Sequence, residues 1–220
     1  MEKLKLINIL NYSTEDYPFR ESICDLIGES NLELLHEKFD YFLLEREKDQ
    51  NTQFHKNFYS NYRNSKFEKL YKDFITGFIT DMIGESVISQ AKPTFRVHMH
   101  NNLGVGEFHK DSDYDHPIEE INILIPVTDA EETSTVWIES SPGKQDYSPI
   151  NLKYGECLIF KGSLLTHGNK INTTKKTRVS FDFRVIPESE YNPSPHGSIN
   201  TGLKFKIGEY YDFLKKEQNN

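Results

Sequence analysis

Between Pro93 and Pro187 the apolar residues of successive segments recur at every second position, and this period constrains the chain more than any other feature. In "FRVHMH", Phe95, Val97 and Met99 alternate with Arg96, His98 and His100. In "EEINILIP", Ile121, Ile123 and Ile125 stand opposite Glu120 and Asn122. "STVWIES" and "TRVSFDFRV" alternate in the same way, and "GECLIF" is a short apolar strand behind a turn at Gly155. Successive side chains of a strand point to opposite faces, so each of these strands presents one apolar and one polar face. Glycine, proline and asparagine punctuate them, and no helical pattern intervenes. That predicts an antiparallel sandwich or barrel and opposes a parallel βαβ sheet.

Upstream the period is helical. "TEDYPFRESICDLIGE" offers Thr14 as an N-cap, with Ile23, Leu26 and Ile27 at helical spacing. "SKFEKLYKDFITGFITDMIG" carries a Ser65/Glu68 capping box and a stop at Gly84. Its apolar stripe is Phe67, Leu70, Tyr71, Phe74, Phe78 and Met82, and it is expected to pack a helix against a sheet. The intervening "EREKDQNTQFHKNFYSNYRN" shows no clear period and reads as loop. Past Pro187, "PESEYNPSPHGS" is an extended loop and "GLKFKIGEYYDFLKK" a closing strand or helix. The expected organisation is one domain over 1–220: helical support in 1–92, a β core in 93–187 and a C-terminal extension in 188–220.

Composition narrows the partners. A formal net charge of −8 argues against nucleic-acid binding, which needs a basic face. Cys24 and Cys157 are too few for a disulfide framework or a zinc–thiolate site. No apolar run is long enough to span a membrane, and "MEKLKLINILNYS" is too short and too charged for a signal-peptide core. A cytoplasmic location with no membrane partner is the expectation.

One stretch concentrates chemistry. "FHKDSDYDHP" holds His109 and Asp111 two apart, so that on a regular strand both would face the same way. By itself such a pair also fits a solvated loop. A third ligand is available 58 residues after His109, at His167 in "SLLTHGN". Two imidazoles and one carboxylate form the facial triad of non-haem Fe(II) sites, with open positions opposite. Eleven residues past His167 stands Arg178, followed on the same strand face by Ser180. An arginine fork grips a carboxylate at two points and a neighbouring hydroxyl adds a third, as a bidentate organic acid at iron would require.

These motifs, His109-x-Asp111, His167 and Arg178-x-Ser180, resemble those of the Fe(II)- and 2-oxoglutarate-dependent oxygenase superfamily. More narrowly, "FHKDSDYDHPIEEINILIPVTDA", "WIESSPGKQDY", "HGNKIN" and "TRVSFDFRVIP" resemble a branch found in streptomycin-biosynthesis gene clusters, over about residues 94 to 187. The resemblance implies a double-stranded β-helix (a cupin-like jelly roll) with helices packed on one sheet. It also implies iron held by His109, Asp111 and His167, and 2-oxoglutarate chelating the metal and salt-bridged to Arg178. In that chemistry O2 and 2-oxoglutarate are consumed, succinate is released and a substrate is oxidised.

Other polar residues divide between site and scaffold. Arg184 shares the face of Arg178 but lies roughly 20 Å along the strand, so it reads as structural and paired with Asp182. Asn122 is inward and is a candidate for steadying the cosubstrate's metal-bound carboxylate or the substrate, or else a hydrogen-bonded core amide. Arg96, His98 and His100 share a face that lines a wet cavity or meets solvent. Asp113, with Tyr114, Asp115 and His116, belongs to a loop that covers the site or is merely polar. Glu139 shares a face with Trp137, a pairing suited to a polyol or amine, although tryptophan is more often core. His36, His55 and His196 have no partners at ligand spacing and are expected at the surface. The favoured function is oxidation of a small polar metabolite, such as a sugar, aminocyclitol or amino-acid derivative. The rivals are a cupin-like metal isomerase or epimerase and a non-catalytic sugar-binding jelly roll.

Overall fold

The computed structural model describes residues 5–38, 51–104, 107–199 and 201–217. Its centre is the ten-residue strand β9 (Arg178–Pro187), which pairs antiparallel with β4 (Ile121–Pro126) on one side. On the other side it pairs with β3 (Thr94–His98) and β2 (Val87–Gln90). The large sheet continues through β7 (Glu156–Phe160) to β1 (Ile7–Asn11), and from β2 to β10 (Tyr211–Leu214). A smaller sheet is built from β5 (Trp137–Ile138), β6 (Ser148–Pro149) and β8 (His167–Gly168), in the order β6-β5-β8. The two sheets form a cupin-like jelly roll.

Alternation decides which face of the large sheet meets the helices. Phe95, Ile121, Ile123, Ile125, Phe181 and Phe183 are buried in one cluster with Phe19, Phe58, Phe67 and Phe74 from the helical region. Phe58 stacks on Phe95 at 4.4 Å and Phe19 meets Phe181 edge-on at 4.9 Å. Each such ring contributes about 1.5–3 kcal/mol by leaving water, so turning the sheet over would be prohibitive. The opposite face is thereby committed to Arg96, His98, Asn122, Arg178, Ser180, Asp182 and Arg184. The site lies on that face.

The helical region departs from its sequence pattern in several places. Thr14 is not a cap: residues 13–17 form a turn closed by the Tyr17 amide on the Ser13 carbonyl, and α1 (Phe19–Ile27) starts behind Pro18. The segment that reads as loop contains a helix, Gln53–Asn61, which buries Phe54, His55 and Phe58; residues 45–50 of that segment lie outside the described ones. His55 is therefore core, not surface. Its Nδ1 meets Thr52 Oγ1 at 2.8 Å, and burial pushes its pKa down to about 3. Phe67, Tyr71 and Phe74 are buried on helix Lys66–Phe74, but a π-turn over Ile75–Ile79 then shifts the buried face. Ile75, Ile79 and Ile83 take over, leaving Phe78 and Met82 half-buried, because a wide turn inserts an extra residue into the helical register. Gly84, in the left-handed region at φ 94°, ends the run. Two sheet strands, β1 and β2, also come from the first 92 residues.

Ser65 caps its helix by accepting from the Glu68 amide at 3.0 Å, while the Glu68 carboxylate accepts from Asn64, one residue earlier than a standard box. Ser65→Ala is expected to lower stability by about 1 kcal/mol, read as a shift in the urea midpoint with an unchanged slope. Cys24 is half-buried and Cys157 buried, both as thiols. Among the described residues no helix is long and apolar enough to cross a membrane.

Candidate metal centre

His109 and His167 are joined by their backbones. Each amide donates to the other's carbonyl, at 3.0 and 2.9 Å, in an isolated antiparallel bridge. That pairing sets the two rings 4.7 Å apart. The His109-x-Asp111 pair does not lie on the regular strand its spacing suggested. The chain enters a 3-10 turn, Asp111–Tyr114, anchored by the Asp111 amide on the Gly162 carbonyl at 2.9 Å. A bridge followed by a turn thus achieves the convergence. One ligand atom from each of the three residues lies within 4.8 Å of the others.

The donor set suits a divalent metal. His109 Nδ1 lies 2.8 Å from the Glu107 carbonyl and His167 Nδ1 lies 3.0 Å from that of Leu165. A carbonyl can only accept, so both rings carry hydrogen on Nδ1 and turn the Nε2 lone pair to the centre. Those Nε2 atoms stand 3.5 and 3.7 Å from Asp111 Oδ1. The other oxygen, Oδ2, accepts from Asn122 Nδ2 at 2.7 Å and Arg184 Nε at 2.8 Å, which leaves Oδ1 for a cation. Burial alone would raise the Asp111 carboxyl, but Arg184 and the two imidazoles hold it well below the ordinary range. Burial likewise lowers His167, keeping its ring neutral as a ligand must be.

Around this centre lies a cavity of about 670 Å³, a volume usual for small-molecule sites. Arg178 lines it, nearly buried, with Nε on the Ser134 carbonyl at 3.0 Å and NH1 on Ser180 Oγ. Arg96 lines it too, with Nε 2.7 Å from Asp182 Oδ1. Asp182 is therefore taken mainly by Arg96. Arg184 reaches it only at 4.0 Å and pairs instead with Asp111, because its place far along β9 from Arg178 is where the metal carboxylate sits. The spacing from Arg178 was informative; the expected partner, Asp182, is the more distant one and Asp111 the nearer.

Asn122 spends one amide hydrogen on Asp111, and its Oδ1 accepts from the Gly162 amide at 3.2 Å. A Cβ at position 162 would stand 2.6 Å from Asn122 Nδ2, so this contact requires glycine. His98 lines the cavity, but Asn102 and Ser134 carbonyls face its nitrogens at 2.8 and 3.2 Å. Burial and then Arg178 push its pKa down to about 4, so it is a neutral wall residue that donates to only one of the two carbonyls.

Three proposed substrate residues lie outside the cavity lining. His100 falls beyond the end of β3, its ring 5.6 Å from that of His36. Asp113 is exposed and accepts from the Lys110 amide at 3.0 Å. Glu139 is fully buried, its oxygens on the Thr166 and Gln145 amides at 2.7 and 3.0 Å. Burial would raise Glu139, yet those amides bring it down to about 2. It anchors the segment that delivers His167. Trp137 is half-buried under Lys170, whose Nζ is 3.3 Å from the ring centroid. His36 is half-buried against Thr177, and His196 is exposed 3.6 Å from Asp115. Tyr114 and His116 of the candidate covering loop line the cavity; Arg184 and Asp182 join them without having been singled out for it, although positions 182 and 184 continue the inward row of β9.

A jelly roll with two imidazoles and a carboxylate converging inside it defines a protein of the cupin-like class with a candidate metal centre. The chain is 36% identical over 203 residues to streptomycin biosynthesis protein StrG of Streptomyces griseus, covering 92% of this chain and 96% of that one. It belongs to the family of that protein. No family model matches the chain. Among solved structures it is similar to EctD from S. alaskensis with 2-oxoglutarate and 5-hydroxyectoine (TM-score 0.61, 14% identity, 97% of this chain and 84% of that one). It is also similar to SnoK, a non-heme alpha ketoglutarate dependent carbocyclase from nogalamycin biosynthesis (TM-score 0.56, 12% identity, 96% and 93%). At these identities the likeness is one of fold.

Proposed function

We propose that the protein is an Fe(II)- and 2-oxoglutarate-dependent oxygenase that hydroxylates or otherwise oxidises a small polar metabolite. The observation that carries this is the convergence of His109 Nε2, His167 Nε2 and Asp111 Oδ1 in a cavity that Arg178 also lines. His109, Asp111 and His167 would hold the iron, which would supply redox chemistry in which O2 takes two electrons from the oxidative decarboxylation of 2-oxoglutarate to succinate and CO2 and two from the substrate.

The chain's own groups bind and orient. Arg178, aimed by the Ser134 carbonyl, takes the distal carboxylate of 2-oxoglutarate, with Ser180 beside it. Asn122 and Arg184 hold Asp111 so that one oxygen keeps its direction. The family of the Streptomyces griseus relative, a streptomycin biosynthesis protein, and the neighbour from nogalamycin biosynthesis support a biosynthetic metabolite as substrate.

Arg96, Asn122, Arg178 and Arg184 in the wall favour a substrate carrying hydroxyl, amine or carboxylate groups, although Val97, Leu124, Val136, Phe160 and Ile199 line it as well. Against an acyl chain, only those donors not already held by the protein would be left unpaired, at roughly 1–3 kcal/mol each. Succinate release with Fe(II) and 2-oxoglutarate is therefore expected to rise above the uncoupled background with polyols, aminocyclitols or amino-acid derivatives. Fatty acids and peptides should give no rise. Stimulation by acyl substrates alone would overturn the assignment of the inward face.

A further inference from the structure

Glu120 is a fully buried carboxylate that is neither a triad member nor a cavity-lining residue. It lies at the start of β4, and every oxygen it has is engaged. Tyr211, on edge strand β10, donates its hydroxyl to Oε1. His116 Nδ1 approaches Oε2 at 2.8 Å, and Arg184 Nε stands 3.5 Å from the same oxygen. Arg184, with only 11% of its side chain exposed, is thus shared between Glu120 and Asp111, while Asp182, 4.0 Å away, is already paired with Arg96.

A guanidinium touching a metal ligand has opposing effects. It orients the carboxylate, but its own charge repels a divalent cation, and in a buried site that repulsion is poorly screened. A second carboxylate on Arg184 resolves the conflict by cancelling the charge while leaving the hydrogen bond to Asp111 in place. We propose that Glu120, locked by Tyr211 of the C-terminal strand, is a positioning residue that lets Arg184 orient Asp111 without expelling the metal. The C-terminal extension then belongs to the metal centre, although among its described residues no carboxylate or imidazole is a ligand. This rests on the triad reading above.

Co(II) is the probe, titrated into the full-length metal-free protein and followed by calorimetry and by its visible d–d absorption. Glu120→Gln removes the cancelling charge and is expected to weaken binding roughly ten- to hundredfold; Tyr211→Phe loosens Glu120 and should cost about tenfold. Both should alter the d–d bands, since Asp111 is no longer held in one orientation. Tyr71→Phe is the control: its hydroxyl is equally buried and donates at 2.6 Å to the carbonyl of Gln90, which pairs with Tyr211 in the sheet, but not to Glu120. That variant should melt earlier with unchanged Co(II) affinity. Should Glu120→Gln not fold, Tyr211→Phe decides alone. Wild-type affinity and spectrum in a folded Glu120→Gln or Tyr211→Phe protein would overturn the proposal, as would an equal loss in Tyr71→Phe. His167→Ala separates the two readings: if it loses Co(II) while Glu120→Gln retains it, the triad stands and the role of Glu120 falls. If His167→Ala binds as tightly as wild type, the triad itself is wrong.

Discussion

His167→Ala is expected to lose 2-oxoglutarate turnover altogether and to bind Fe(II) at least about a hundredfold more weakly. Removing a mere partner of a ligand already costs roughly 10- to 100-fold, so removal of the ligand sets that as a lower bound. The fold should survive, because the bridge between residues 109 and 167 is made by main-chain atoms that alanine retains. Melting temperature and far-ultraviolet circular dichroism are the controls. Asp111→Ala should also be inactive but for a second reason besides. It strips Arg184 of its 2.8 Å partner and Asn122 of its acceptor; breaking a buried ion pair costs up to about 3–5 kcal/mol, less here because Glu120 still faces Arg184. Asp111→Ala should therefore be clearly less stable than His167→Ala even without metal. Unchanged turnover in His167→Ala would rule out the triad.

The second large effect falls on the cosubstrate. Arg178→Ala removes the guanidinium that the Ser134 carbonyl and Ser180 orient into the cavity. Losing a buried, charge-assisted fork costs about 2–5 kcal/mol, or about 30-fold and upward in the apparent requirement for 2-oxoglutarate. At saturating 2-oxoglutarate the turnover number should recover more than the affinity. Arg178→Lys keeps a cation but not two parallel donors, and should fall between the two. Activity with iron and no keto acid would instead favour the cupin-like isomerase, with Arg178 binding an acidic substrate.

The alternation of "TFRVH", "INILIP" and "RVSFDFRV" was sufficient to assign faces, because period-two patterning is local and a large apolar face has one place to go. It put Phe95, Ile123 and Phe181 against the helices and Arg96, Asn122 and Arg178 on the cavity side. Residue type and spacing likewise singled out His109, Asp111 and His167, which the structure brings together. The helix Gln53–Asn61 was not legible: its buried side includes a histidine, and two phenylalanines four apart are too sparse a stripe. Nor was the π-turn, which depends on how Ile75 and Ile79 pack and not on propensity.

Polarity on a strand says which way a side chain points, and not what stands across from it. Glu139 and His100 satisfied the same alternation as Arg96. The chain after β5 folds back to bring the amides of Gln145 and Thr166 onto Glu139, and β3 ends before His100. Arg184 shows the limit most clearly. Its distance from Arg178 follows from the rise of a strand, but its hold on Asp111, 73 residues away, exists only once β9 lies beside β4 and the turn after His109 is in place. Local periodicity determined the faces and the ligand types of this protein. The pairing of its buried charges was decided by tertiary structure, because the partner of a buried ion is whichever opposite charge the fold carries to within a few ångströms, however distant in the chain.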